Sequence, residues 1–290
     1  MPISMAESIL TREPAIRLGI FVSTFAVMAV WEWLGPRRGR SIGRVRRWPN
    51  NIGVAFVDTI LARVAAPAGA VGFALYAQVH RWGLFNSVLL PAWLKLLISL
   101  VALDFAIYLQ HRLFHYVPAL WRLHRMHHAD LEIDVTTGAR FHPIEILLSL
   151  GVKFLVIVPM GAPPLSVLIF EIGLNASSMF NHGNVRIPAW LDRLLRWLVV
   201  TPDMHRVHHS VIRRETDSNF GFNFPWWDRL FKTYRAQPEA GHQAMTIGIE
   251  QFRDPKELFL GRMLTQPFRN EQRSGAKLIN LAADQGKARR

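Results

Sequence analysis

The chain has 290 residues, half of them apolar, and a formal net charge of +13. It contains no cysteine, which excludes disulfides, iron–sulfur clusters, thiolate-held zinc and cysteine nucleophiles, so any metal must be held by nitrogen or oxygen. Because the apolar residues gather into stretches near or above the roughly 20 that cross a bilayer, the positive charge is assigned to headgroups and cytoplasmic loops; no nucleic-acid partner is expected.

Met1 to Pro14 lacks the basic start, short apolar stretch and small-residue cleavage site of a leader, so none is expected. Ile16 to Leu34 is the first membrane-spanning candidate, with Trp31 and Trp33 placed for the interface. Arg37, Arg38, Arg40, Arg44, Arg46 and Arg47 follow, and the positive-inside rule puts this density in the cytoplasm and the N-terminus outside. Val54 to Val79 returns the chain outward, and Leu89 to Gln110 crosses back with Asp104 inside it. Ile144 to Phe180 is apolar again, broken by Gly161-Ala162-Pro163-Pro164, and reads as a helical hairpin that enters and leaves on one face. An even number of crossings therefore separates His128 from His182, which brings every histidine cluster to one side of the membrane. Ala189 to Val200 is amphipathic and is expected to lie along the interface. The end, roughly Asn270 to Arg290, is a charged tail expected to be loosely ordered. The organisation is thus an N-terminal transmembrane region (1–88), a catalytic domain (89–235) and a polar C-terminal tail (236–290).

Ten of the twelve histidines lie between His111 and His209. They form His111-x-x-x-His115, His124-x-x-His127-His128, the single His142 and His182, and His205-x-x-His208-His209. On a helix, residues three and four apart share a face, so each HxxHH group presents three imidazoles in one direction and HxxxH presents two. One such group is easily an accident of composition; two with a third pair are not. Eight imidazoles in three clusters, with His182 as a ninth, exceed what one metal takes, so two metals are inferred. Nitrogen ligands without sulfur suit iron, copper, nickel or zinc. A polar cluster beside apolar helices is placed to act on lipid chains, and unactivated C–H bonds need a redox metal, which zinc is not. Iron with dioxygen is the economical choice.

These spacings resemble the fatty acid hydroxylase / sterol desaturase superfamily. The likeness runs from about Val101 to Tyr234 and includes Asp104-x-x-x-Tyr108-x-x-His111-Arg112, Trp121-Arg122-Leu123-His124, Arg140-Phe141-His142-Pro143 and Asn181-His182. It continues through Thr201-Pro202-Asp203-Met204-His205-Arg206-Val207-His208-His209-Ser210, Asn219-Phe220-Gly221 and Trp227-Asp228-Arg229-Leu230-Phe231. The resemblance implies an all-α, polytopic helical membrane protein with a cytoplasmic histidine-rich cap. It also implies two iron ions, dioxygen as co-substrate and electron-dependent hydroxylation or desaturation of a lipid. The ligands it implies are His111, His115, His124, His127, His128, His182, His205, His208 and His209, with His142 either a tenth or a support for another ligand. The short HxxxH spacing favours the hydroxylase and sterol side over acyl-CoA desaturases, and Ser178 stands where some lipid hydroxylases carry a further histidine, which leaves one metal with fewer protein ligands.

Asp104 and Tyr108, one turn apart, and Asn219 and Asp228 are candidates for orienting ligands by hydrogen bonds, as metal-bound imidazoles require. Arg112, Arg125 and Arg206 each follow the first histidine of a cluster and are expected to point outward, toward phosphates, interfacial water or a redox partner. Electrons must come from outside, from an acidic carrier such as a ferredoxin or a b-type cytochrome with its reductase. Two other classes compete. A membrane zinc hydrolase would need HExxH or a glutamate inside a cluster, and the chain has neither. A non-enzymatic metal or haem protein would set histidines singly inside spans. The metal itself separates the three: two irons, one zinc or a haem.

Overall fold

The computed structural model describes residues 5–270. Residues 1–4 and 271–290, which hold nearly all of the expected tail from Asn270 to Arg290, lie outside the described residues. Among the described residues the fold is helical, and the extended backbone forms only two isolated bridges, Pro36 with Val185 and Ser210 with Ile247.

A short α1 (Met5–Thr11) leads into α2 (Glu13–Leu34), whose Pro14 lies in the first turn, where its missing N–H removes no bond. Next come α3 (Arg44–Ala65) and α4 (Gly69–Val79). The sequence suggested one segment here, Val54 to Val79. Pro67 divides it, because the residue before a proline is driven from the helical region, and Ala66 sits at φ −142°, ψ 80°. Then follow α5 (Ala92–Tyr116), α6 (Pro118–His128), α7 (Pro143–Met160) and α8 (Pro164–Asn181). The turn from α7 to α8 is made by Gly161 at φ 66°, where a Cβ would also meet the Trp82 carbonyl at 2.7 Å. Short helices complete the chain: α9 (Ala189–Leu195), α10 (Pro202–His208), α11 (Arg213–Thr216), α12 (Trp226–Leu230), α13 (Gly241–Ala244) and α14 (Leu260–Thr265).

α5 is the central helix and packs on α6, α7 and α8, while α4 lies against α7 and α8, α2 against α8, and α3 against α7. Leu103 and Ile107 of α5, Ile157 of α7, and Val167 and Phe170 of α8 form the core with Ala70 and Ala74 of α4. Small residues at that contact let helices approach closely, the main attraction left where the surroundings are as apolar as the core. The outer faces are apolar as well: Leu18, Val27, Val64, Leu97 and Leu155 are all exposed. Four stretches are long and apolar enough to cross a membrane, Glu13–Leu34, Arg44–Val79, Ala92–Tyr116 and Pro143–Met160. The protein is a multi-pass, all-helical membrane protein.

Part of the positive charge is turned inward. Arg40 and Arg44 reach Glu32 at 3.2 and 3.3 Å, and Arg47 is fully buried against Asp130 at 2.7 Å and Asp134. Two buried carboxylates after α6 require such a cation, so a residue that reads as a headgroup contact is internal instead. In α9 and the turn after it the pattern inverts that of a soluble protein. Trp190, Leu194, Trp197 and Leu198 are exposed, while Asp192 and Arg196 are buried and paired at 2.7 Å. A helix with this face outward suits the membrane interface. Residues 255–268 fold back onto α3 and α6, where Arg122 donates to the Pro267 carbonyl at 2.7 Å.

Candidate metal centre

Four elements deliver the histidines. The last turns of α5 carry His111 and His115, and α6 carries His124, His127 and His128. His182 caps the C-terminus of α8, and α10 with its cap supplies His205, His208 and His209. This short helix starts cleanly because Pro202 occupies its first turn and the Thr201 hydroxyl accepts from the Met204 N–H at 3.3 Å. None of the nine imidazoles is more than 3% exposed.

The nine fall into two groups, His111, His115, His124, His128 and His208 in one, and His127, His182, His205 and His209 in the other. Within each group the candidate ligand atoms all lie within 4.8 Å of one another. Neither HxxHH cluster acts as a unit, in contrast to the single direction its spacing suggested. At about 100° per residue, positions i+3 and i+4 fan out to opposite sides of i, about 100° apart. In α6 and in α10 alike, i and i+4 stay together and i+3 crosses to the other group. The groups touch: the His128 and His209 rings stack with centroids 4.5 Å apart, and those of His205 and His208 lie 5.0 Å apart.

Six Nδ1 atoms are tied down from behind. His111 and His208 meet the carbonyls of Phe220 and Ser218, each at 2.7 Å. His127 and His182 meet those of Arg140 at 3.0 Å and Ser178 at 2.7 Å. His124 meets Glu145 at 2.7 Å and His115 meets Asp217 at 3.3 Å. A proton held on Nδ1 by an acceptor leaves the Nε2 lone pair free for a metal. Those Nε2 atoms converge: His111 and His124 are 3.1 Å apart, His127 and His182 3.1 Å, and His182 and His205 3.0 Å. His115 Nε2, His208 Nε2 and both ring nitrogens of His128 and His209 are buried with no hydrogen-bond partner. Each such orphan costs about 1–3 kcal/mol, which a bound cation would relieve. Burial, reinforced by the neighbouring rings, holds His127, His128, His205, His208 and His209 well below the ordinary imidazole value, and burial brings His182 to about 4. These rings are neutral at pH 7, the state a metal requires. The donor set fits two metal ions, with five nitrogens offered to one and four to the other. On the smaller side Ser178 donates to the Gly138 carbonyl at 2.7 Å and offers no ligand.

The other sequence candidates fall elsewhere. His142 joins neither group: its Nδ1 caps α7, accepting from the Ile144 N–H at 3.2 Å, and its Nε2 lies 3.3 Å from the Leu264 carbonyl. Asp104, Tyr108, Asn219 and Asp228 make no hydrogen bond to a ligand ring but brace the segment 218–227. Asp228 accepts from the Phe220 and Gly221 N–H groups at 2.8 and 2.9 Å and from Thr233, which also bonds Tyr108. Asn219, at φ 53°, donates to the Met204 carbonyl at 2.9 Å. Asp104 accepts from Asn223 and Trp227 at 2.8 and 2.7 Å. Sequence reasoning missed Glu145, Asp217 and the supporting carbonyls; only the closeness of Glu145 to His142 hinted at one of them. Arg125 and Arg206 do not face outward. Arg125 donates to the Gln266 and Arg269 carbonyls, each at 2.6 Å, and the fully buried Arg206 pairs with Asp203 and with the Gly183 carbonyl. Carbonyls at the ends of short helices and turns need donors, and these arginines supply them.

A cavity of about 630 Å³ opens from His111 and His124. Ile107, Phe114, Phe141, Leu150, Leu174 and Phe222 form its apolar walls, and Arg17, Lys153 and Glu171 stand along its polar stretch.

The sequence matches the family model for fatty acid hydroxylase over residues 96–233. It is 30% identical over 244 residues to an ornithine lipid hydroxylase of Rhizobium tropici, covering 79% of this chain and 70% of that protein. An alkylglycerol monooxygenase of Xenopus tropicalis is 29% identical over 189 residues, 62% of this chain and 40% of the relative. A very-long-chain aldehyde decarbonylase of Oryza sativa subsp. japonica is 23% identical over 184 residues, 58% and 28% of the two chains. The chain thus spans most of the first relative but less than half of the other two. No solved structure matches it. With nine histidines gathered into two adjacent groups, a family model covering all four elements that carry them, and a relative matched over most of its length, the chain belongs to the fatty acid hydroxylase family.

Proposed function

We propose that the protein is a membrane-bound di-iron oxidoreductase that uses dioxygen and external electrons to hydroxylate or desaturate a lipid. The observation that carries this reading is the pair of adjacent all-imidazole groups, one of which lines a largely apolar cavity between membrane helices. When bound, two irons supply the redox chemistry that an unactivated C–H bond requires. His111, His115, His124, His128 and His208 would hold one ion, and His127, His182, His205 and His209 the other. Glu145, Asp217 and the carbonyls of residues 140, 178, 218 and 220 hold the rings in their metal-ready tautomer. The cavity walls exclude water and fix the lipid chain, and hydroxylation or desaturation follows from where they hold the substrate carbon. The relatives support this class, since those quoted above are named for oxidation of, or carbon removal from, lipid-like substrates.

The arginine-rich stretch after α2 supports a cytoplasmic site, and the net charge supports an acidic electron donor of the ferredoxin or b-type cytochrome kind. Because the chain has no cysteine, single engineered cysteines at Arg38 and Leu89 report sidedness without background. The decisive experiment combines metal analysis of the purified protein with turnover under ¹⁸O-labelled dioxygen and lipid mass spectrometry. Two irons per chain with labelled or newly unsaturated lipid is the expected result; stoichiometric zinc without lipid oxidation overturns the reading.

A further inference from the structure

Three acceptor oxygens in the cavity have no partner. Asp58 of α3, Gln110 of α5 and Glu145 of α7 line it together with His111 and His124. They are 7%, 9% and 4% exposed, and Asp58 Oδ1, Gln110 Oε1 and Glu145 Oε2 accept no hydrogen bond. Asp58 and Glu145 face the same cavity from neighbouring helices. The cations on the same cavity are engaged: Arg17 pairs with Glu13 and Glu171, Lys153 pairs with Glu171, and Arg63 donates to the Pro67 carbonyl at 3.3 Å. A carboxylate in a membrane-spanning helix with no partner in the protein is expected to find one in what the protein binds.

We infer that Asp58, Gln110 and Glu145 form a binding site for a primary ammonium group, so that the lipid taken by this cavity carries an amine. This rests on the reading that the cavity holds the lipid substrate. A primary ammonium offers three N–H donors and one positive charge, matching three acceptors of which two are carboxylates. An alcohol offers one donor and no charge, and a phosphate would be repelled. Glu145 Oε1 contacts His124 Nδ1 at 2.7 Å, so an amine on Oε2 holds its adjoining carbons beside the histidine groups.

The test uses the full-length, metal-loaded protein in detergent micelles, with octadecylamine and its N-acetyl derivative as probes and binding read by native mass spectrometry. Octadecylamine is expected to bind about tenfold or more tighter, the difference expected for hydrogen bonds to charged groups. Asp58→Asn is expected to abolish most of that preference without changing N-acetyl binding, and Asp58→Glu to keep it. If Asp58→Asn does not fold, Gln110→Leu replaces it and is expected to weaken the amine alone. Equal binding of the two probes by the wild type, or an undiminished preference in the folded variant, overturns the site. Ethylamine is expected to compete only at far higher concentration than octadecylamine; equal competition would overturn the lipid assignment. Because binding is read without turnover, amine preference with no lipid oxidation would sink the proposed reaction and leave this site standing. Lipid oxidation with no amine preference would do the reverse.

Discussion

Arg47→Met tests whether the buried charge network beneath the metal centre holds the fold together. Arg47 donates to both oxygens of Asp130 at 2.8 and 2.7 Å, to Asp134, and to Thr137 Oγ1 at 3.1 Å. All three charged residues have fully buried side chains. Removing one partner of a buried pair costs about 3–5 kcal/mol, because the other charge is left behind. Here Asp134 would keep Trp48 at 3.1 Å and Thr136 N–H at 3.0 Å, and Asp130 would keep Thr137 at 2.9 Å, which favours the lower end. At about 2–4 °C per kcal/mol for a chain near this size, Tm should fall by about 6–12 °C. Tryptophan fluorescence during heating in detergent at pH 7 measures it. Charges on Arg47 and Arg140 overcome the effect of burial and hold the Asp130 carboxyl at about 2, below its ordinary value. A depressed carboxyl stabilises the fold fully above its unfolded value and loses that effect as pH falls through its folded one. The gap between wild type and Arg47→Met should therefore be full above about pH 4 and narrow toward pH 2. Adding Asp130→Asn to Arg47→Met should recover about 1 kcal/mol or more, since the two residues share one network. A variant melting within about 2 °C of wild type at pH 7, or a gap independent of pH, would refute the reasoning.

His127→Ala and His208→Ala remove one ligand from different groups; each should lose bound metal and abolish product, and normal turnover by either would count heavily against the centre. Glu145→Gln weakens the acceptor behind His124, so metal affinity should drop about 10–100-fold, read by competition with a chelator. Asp228→Ala removes the acceptor for the Phe220 and Gly221 N–H groups and should loosen the carbonyl that anchors His111. Metal analysis should then show a loss that Asp228→Asn only partly reproduces. Stripping the metal should lower Tm in proportion to the logarithm of the free metal removed, since only the folded chain assembles the site.

The helical class was legible because apolar runs of membrane length have few other uses, and the hairpin because Gly161 and two prolines leave the backbone little choice. The break at Pro67 was equally written in the sequence, but it lies within a run whose length alone suggested one span. The histidines were legible as a set, since their spacing is a property of one helix at a time. Their division into two groups was not, because it depends on how α5, α6, α8 and α10 face each other. Supporting groups were the least legible. Backbone carbonyls of residues 140, 178, 218 and 220 leave no trace in side-chain identity, and Glu145 and Asp217 are brought to their rings only by tertiary packing. Arg47, Arg125 and Arg206 were misplaced for a related reason: an arginine in a basic run or beside a histidine cluster reads as surface charge until the buried carboxylates and carbonyls that need it are known.

The position of the centre follows from these same constraints. An imidazole can be buried in its neutral form, so a cluster of histidines carries less of a burial penalty than a cluster of carboxylates would. Their backing is mostly backbone carbonyl from short, tightly turned segments, and such segments exist only where the helices end. The centre therefore sits at the mouth of the helical bundle, while the cavity runs from it between α3, α5, α7 and α8. On the proposed function, a lipid would reach the histidines along this cavity without leaving the bilayer, and an electron carrier would approach the opposite face from water. The arrangement would then join a water-borne reductant to a membrane-held substrate.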